Sequence, residues 1–345
     1  MPDSPHRDDN LMDRFDRAQL RRFRARDAVV AVAIAALVLV VCAGASIRKA
    51  GREMNPGIGR DVVLAVGNPA AWLADRLPFH AAADRLTAGL SPNANLSGPG
   101  GFGKSAVTGA GAGAAIAPVT TDAFDPAQIG APPPARRRLR RLLVTGDSMS
   151  QPLDLDLARA LAADGVSVIR DPHIGTGISS TVIVDWGRLA VHQVKQDHPD
   201  AVVVFIGAND GYPMLGPAGK PVNCCSAEWA AIYAGRIRRM MSTYRQAGVA
   251  RVYWLTLPTP REAARQQIAR VVNAAIDVAA EPWRAQVRVI DTVPVFTPGD
   301  RYRDAMPISG QPTIVRQSDG IHLNDAGSQL AATIVLTAIR GDFTL

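Results

Sequence analysis

The chain has 345 residues, a formal net charge of +7, 47% hydrophobic residues and three cysteines. Ala and Gly concentrate in an N-terminal apolar run and a later low-complexity stretch, so only residues 136–345 have the composition of a sizeable core. The positive charge falls in two arginine clusters, the second without aromatics and the first with only Phe15 and Phe23, too sparse a stacking platform to argue for nucleic-acid binding.

Residues 1–27 are polar and carry Arg14, Arg17, Arg21, Arg22, Arg24 and Arg26. Ala28–Ile47 follows, 20 residues without a charge. As a helix it is long enough to cross a hydrocarbon core about 30 Å thick. Basic density upstream favours a cytoplasmic N-terminus. The expectation is a single-pass anchor in the inner cell membrane, with the C-terminal domain periplasmic or otherwise extracytoplasmic. A cleaved signal peptide is the alternative, because Ala43 and Ala45 form an A-x-A pattern; the long polar lead weighs against it. Lipidation at Cys42 is disfavoured by Val41, where a small residue is needed.

Residues 48–90 read as a short helical juxtamembrane region, with segments Asp61–Val66, Ala70–Leu77 and Ala81–Leu90 bounded by Pro56, Pro69, Pro78 and Pro92. Residues 91–135 are Gly, Ala, Ser and Pro with only Lys104, Asp122 and Asp125 charged, a flexible tether by composition. Within them Gly98–Ser105 matches the phosphate-loop pattern G-x-x-x-x-G-K-S. A working phosphate loop leaves a buried strand and enters a helix, and neither flank supplies one, so no nucleotide is expected. Arg136, Arg137, Arg138, Arg140 and Arg141 read as the solvated end of this linker.

From Leu139 onward strands and helices alternate. β-rich runs occur at Leu139–Thr145, Val166–Arg170, Ala201–Ile206, Arg251–Leu257 and Val287–Ile290. Ala201–Ile206 is apolar throughout, as a parallel strand covered on both faces should be. Trp229, Ile232, Tyr233, Ile237, Met240 and Tyr244 form a helical core stripe from which Arg236 and Arg239 fall off. Thr259-Pro260-Arg261-Glu262 has the letters of a capping box, and Asn324 or Asp325 can cap a last helix to about Ile339. Five alternating strands predict a three-layer α/β/α domain on a five-stranded parallel sheet.

Four segments at strand ends or in connections carry chemistry. They are Gly146-Asp147-Ser148-Met149, His173–Ser179 with Gly175 and Gly177, Gly207-Ala208-Asn209-Asp210, and Asp319-Gly320-Ile321-His322. Singly each has a bland reading as a turn or a surface histidine. Together and in this order they resemble the SGNH/GDSL hydrolase superfamily, over about residues 139–345, within a catalytic domain expected at 136–345. Met149 departs conservatively from the commoner leucine. The resemblance implies a flavodoxin-like domain, esterase or acyl-transfer chemistry and no cofactor. It also implies Ser148 as nucleophile, His322 as base, Asp319 as its orienting partner, and an oxyanion hole of the Ser148 amide, the Gly177 amide and the Asn209 side chain. Gly175 stands as an alternative to Gly177.

These residue types fit those roles. A serine hydroxyl needs a base, histidine titrates nearest neutrality, and a carboxylate three residues away can fix its tautomer. His6, His80, His173, His192 and His198 show no ligand spacing, so no metal is expected. His173 and Tyr212 are candidate substrate contacts, and Tyr212–Ser226 a candidate pocket wall. Cys224 and Cys225 are either two thiols or a vicinal disulfide.

The favoured function is transfer or removal of O-acyl groups, O-acetyl above all, on an extracytoplasmic polysaccharide such as an exopolysaccharide or cellulose, beside envelope polysaccharide machinery. A lipase, arylesterase or thioesterase of small acyl esters and a non-catalytic accessory subunit are the alternatives. Intact Ser148, Asn209, Asp319 and His322 weigh against the last.

Overall fold

The computed structural model describes residues 133–345 without a break, the helix Ile58–Ala74, and residues 30, 32, 47, 48, 96 and 99–102. The chain divides into two units, residues 1–51 with 58–79 and residues 52–57 with 80–345, each taken by itself. In the first unit the helix Ile58–Ala74 runs through Pro69, which corrects the expected break at that proline. Two residues before that proline, Gly67 packs closely on Arg48, where a Cβ would stand 2.7 Å from the Arg48 amide nitrogen. The predicted anchor Ala28–Ile47 lies, apart from residues 30, 32 and 47, outside the described residues. Among the described residues no helix is long and apolar enough to cross a membrane.

The second unit is built on five parallel strands, β1 (Arg141–Gly146), β2 (Ser167–Pro172), β3 (Ala201–Phe205), β4 (Arg251–Leu255) and β5 (Val287–Ile290). Their order across the sheet is β2-β1-β3-β4-β5. Helices α1 (Ser150–Leu161) and α5 (Asp325–Asp342) pack together on one face. On the other, α2 (Trp186–Asp197), α3 (Ala227–Tyr244) and α4 (Ala263–Ala280) pack in succession. The central strands β3 and β4 are buried at every position, which is why β3 reads as an unbroken apolar run and β4 as one after Arg251. Winding reverses between β1 and β3, and that switch point is where open α/β sheets leave a crevice for ligands.

Tertiary bonds override or add to the local signals in four places. Helix α4 starts at Ala263, with Glu262 at its cap position making no side-chain cap bond, so the Thr259 capping box does not form. The Thr259 amide is instead taken by Thr297 Oγ1 at 3.0 Å. Arg236 is buried within α3, at 2% exposure, its charge met by a carbonyl rather than by water. The arginine cluster is exposed, as a solvated end should be, yet it is tied to the fold: Arg136 donates to the Phe343 and Arg340 carbonyls and Arg137 pairs with Asp200 at 3.0 Å. Arg137–Arg138 pairs in parallel with Phe343–Thr344. Finally, Leu96 and Phe102, inside the expected flexible tether, pack against the core.

Candidate active site

Strand β1 ends at Gly146 with φ +144°, where a Cβ would stand 2.0 Å from the Phe205 carbonyl oxygen; only glycine lets the chain turn there. Asp147 then folds inward. Its Oδ1 accepts from the Met149 amide and its Oδ2 from the Gly207 and Ala208 amides, all at 2.9 Å. One carboxylate thus fixes the turn after β1 against the turn after β3. Complete burial pushes its pKa up to about 6, against the pull of the Gly207 and Met149 amides. Ser148 is left half-buried at the tip of this turn, just before α1.

The base arrives from the far end of the chain. His322 lies in the loop before α5, a helix capped by Asn324, whose Oδ1 accepts from the Gly327 amide at 3.0 Å. Its Nε2 is 2.7 Å from Ser148 Oγ and its Nδ1 is 2.6 Å from Asp319 Oδ2. With the ring proton on Nδ1 facing Asp319, Nε2 accepts from the serine hydroxyl, the tautomer acyl transfer requires. Asp319 Oδ1 accepts from the Ile321 and His322 amides at 2.8 and 3.1 Å. Burial would raise the Asp319 pKa, but hydrogen bonds from the His322 ring and these amides outweigh it and hold the carboxylate well below its usual range. Two arginines brace the loop. Arg316 donates to the Thr259 and Gly320 carbonyls, and Arg261 to the Ser318 carbonyl at 2.6 Å.

The oxyanion side is organised by a second buried carboxylate. Asp210 accepts from the Ser179 amide at 2.6 Å and the Tyr233 hydroxyl at 2.5 Å. Burial raises its pKa, opposed by these hydrogen bonds. Gly177 lies so close that a Cβ would stand 2.8 Å from Asp210 Oδ1. Asn209 Nδ2 donates to the Thr176 carbonyl at 3.2 Å, which fixes its amide beside Gly177 and leaves its second N–H available. Among the described residues no acceptor takes the Ser148 or Gly177 amide. Gly175 sits in an exposed turn with nothing near it.

His173, a candidate substrate contact from the sequence, is held by neighbouring side chains. Its side chain pairs with Asp171 at 3.0 Å and meets the Trp186 ring edge-on. Asp171 continues through Gln193 to Tyr244, so the buried polar network claims the histidine. Tyr212 is exposed, its amide donating to Ser179 Oγ at 3.2 Å and its carbonyl accepting from the Trp229 indole at 2.9 Å. The Tyr212–Ser226 loop carries a small hairpin and a disulfide between Cys224 and Cys225. A recess with about 20 Å³ of free volume is lined by Met149, Gly207, Ala208, Leu257, Ile268 and Ile321, neighbours in sequence of Ser148, Asn209 and His322, none of which lines it. Among the described residues no group of His, Cys, Asp and Glu is arranged to hold a metal.

Asp147 and Asp210 were within the quoted motifs, yet nothing in a single sequence distinguishes them from turn residues. Arg316 and Thr176 left no sequence signal. The four blocks thus meet at one sheet edge, as the sequence resemblance led one to expect. Ser148, His322 and Asp319 line up as hydroxyl, imidazole and carboxylate in one hydrogen-bonded chain, an arrangement chemically capable of acyl transfer.

Among solved structures, the chain is similar to a GDSL-like lipase from Bacteroides thetaiotaomicron, at 15% identity over 59% of this chain and 88% of that one, with a TM-score of 0.38. It is similar to the catalytic domain of peptidoglycan O-acetyltransferase A from Streptococcus pneumoniae at 14% identity, 59% and 95% coverage and a TM-score of 0.36. An acetyl xylan esterase from Geobacillus stearothermophilus matches at 14%, with 61% and 98% coverage and a TM-score of 0.39. No curated protein matches. Residues 141–338, more than half of the chain, match the family model described as "Protein of unknown function (DUF459)", and the chain belongs to that family.

Proposed function

We propose that this protein is a membrane-anchored serine enzyme that removes or transfers short O-acyl groups, acetyl above all, on an extracytoplasmic polysaccharide. The observation that carries the reading is the continuous relay Ser148–His322–Asp319, at 2.7 and 2.6 Å, opening beside Gly177 and Asn209. In the first half-reaction Ser148 Oγ attacks the ester carbonyl while His322 Nε2 takes its proton. The oxyanion gathers the Ser148 and Gly177 amides and the Asn209 side chain, each donor worth about 3–4 kcal/mol in the transition state. His322 returns the proton to the leaving alkoxide. Water or a sugar hydroxyl then attacks the acyl-serine by the same route.

The small recess supports a short acyl group, because one water already needs roughly 10–15 Å³ on the same measure. The uncharged span Ala28–Ile47 supports tethering, which raises effective concentration at a surface where a polymer is exported. A second reading, an esterase of small or lipid acyl esters, has one feature in its favour. Ile174, Val182, Ile183 and Tyr212 are exposed apolar side chains on the two loops at this edge.

The test is hydrolysis of an activated acetyl ester by the full-length chain. Ser148→Ala should lower kcat by several orders of magnitude with the circular dichroism unchanged. Wild-type turnover in that variant would sink the reading. In a native host, Ser148→Ala should change the acetyl content of the exported polymer, a fall marking a transferase and a rise an esterase. An unchanged polymer together with cleavage of lipid esters would favour the second reading.

A further inference from the structure

The segment whose letters imitate a phosphate loop is bound to the catalytic domain much as a ligand would be. Phe102 is 3% exposed. Its amide donates to both Asp185 carboxylate oxygens, at 3.0 and 2.8 Å. Its ring lies 5.2 and 5.9 Å from the guanidinium carbons of Arg236 and Arg239, and Arg239 donates to the Gly101 carbonyl at 2.9 Å. Leu96 packs against the same core.

The glycines follow from this fit. Gly100 has φ +92°, and a Cβ there would stand 2.7 Å from the Val191 side chain and 2.8 Å from the Gly187 carbonyl oxygen. At Gly101 a Cβ would come within 2.6 Å of Arg188 Nε. Opposite, a Cβ on Gly187 would stand 2.1 Å from the Gly100 carbonyl oxygen and 2.8 Å from the Phe102 ring. Glycine faces glycine across the contact, so both surfaces are cut for close backbone approach.

The receptor surface leads directly to the oxyanion loop. Asp185, which holds Phe102, also caps α2 through the Gly187 and Arg188 amides. Arg236, which Phe102 covers, donates from Nη1 to the Ile178 carbonyl at 2.7 Å. Ile178 is the residue after Gly177, and the next amide, Ser179, is the one Asp210 grips.

We propose that Gly100–Phe102 is an intramolecular docking peptide that holds the Gly177–Ile178 backbone in place, so that catalytic competence depends on the tether being seated. Phe102 is a positioning residue: it fixes Arg236, and Arg236 fixes the Ile178 carbonyl.

The kinetic part of this proposal rests on the hydrolase reading above. In the full-length chain, Phe102→Ala should lower kcat on an acetyl ester about ten- to a hundredfold with KM nearly unchanged, the scale of a small misplacement of catalytic groups. A synthetic peptide of residues 96–104 should restore it, and the same peptide with alanine in place of Phe102 should not. Hydrogen exchange at amides 176–180 should quicken in Phe102→Ala and slow again with the peptide. Wild-type kcat and exchange in Phe102→Ala, or a loss the peptide leaves unrestored, overturns the proposal. A wild-type chain inert to esters, with exchange responding as stated, supports the docking and defeats the hydrolase reading alone.

Discussion

Ser148 and His322 stand 174 residues apart in the chain and 2.7 Å apart in space, joined because β1 and the loop before α5 end at the same sheet edge. Neither residue holds the other in place. Asp147 fixes the serine's turn through three amides, and Asp319, braced by backbone amides, fixes the imidazole.

Replacing Asp319 by asparagine should separate orientation from nucleophilicity. The new amide would present N–H to His322 Nδ1, forcing the ring proton to Nε2, where it faces the serine hydroxyl and blocks deprotonation. We expect kcat to fall on the order of 10³–10⁴-fold, with KM little changed. Because Asp319 is held ionised far below the working range, it should add no acid limb of its own to the pH profile of the wild type. Steady-state kinetics from pH 5 to 9 would check both points, and near-wild-type kcat in Asp319→Asn would remove Asp319 from the relay.

Asn209→Ala tests the oxyanion site independently of the base. The Asn209 amide is aimed by the Thr176 carbonyl, so its loss should cost the transition state more than substrate binding. A drop in kcat of about 10²–10³-fold is expected. A change confined to KM would place Asn209 in substrate binding instead.

Asp147 predicts a pH dependence of stability whose sign differs from that of a paired surface carboxylate. Burial raises its pKa from 3.8 to about 6, so between those values the folded chain keeps a proton that the unfolded chain has released. Stability from this group is complete below about pH 4, is lost as pH rises to about 6, and is flat beyond. Each pH unit between the two values is worth about 1.4 kcal/mol. The stability of wild type relative to Asp147→Asn, which cannot titrate, should therefore decline by about 3 kcal/mol from pH 4 to pH 7. Denaturant titrations at the two pH values measure it; a difference that stays constant would contradict the buried, protonatable state.

The parallel sheet was legible because β3 is apolar at every position and β4 at every position after Arg251, a pattern that survives without knowledge of contacts. The chemical blocks were legible because each sits in a short turn whose composition is restricted by close approach, as at Gly146 and Gly177. What escaped detection depends on distant partners. Average composition marks residues 91–135 as unable to order themselves, yet one aromatic, Phe102, finds a carboxylate and two guanidiniums supplied by another part of the fold. Arg236 and Arg316 look like surface charges until the carbonyls of Ile178, Thr259 and Gly320 receive them. The Thr259 letters favour a helix start, but Thr297, 38 residues on, takes the amide first.

The acyl group's length should be set by Ile268. It lines the recess next to Met149, taken here as the proposed acyl pocket, and its Cδ1 lies where a Cβ on Gly211 would stand 2.8 Å away. With about 20 Å³ free, the recess holds a methyl group and little more. Ile268→Ala should admit two further methylenes, each worth about 0.8 kcal/mol when buried. The ratio of kcat/KM for butyryl over acetyl esters should then rise about tenfold, while acetyl turnover itself stays within a fewfold of wild type because the relay and the oxyanion donors are untouched. Competition between paired acetyl and butyryl esters of one alcohol reads the ratio directly. If the ratio does not move, the acyl chain lies elsewhere, and the exposed Ile174 and Tyr212 side of the cleft becomes the place to look.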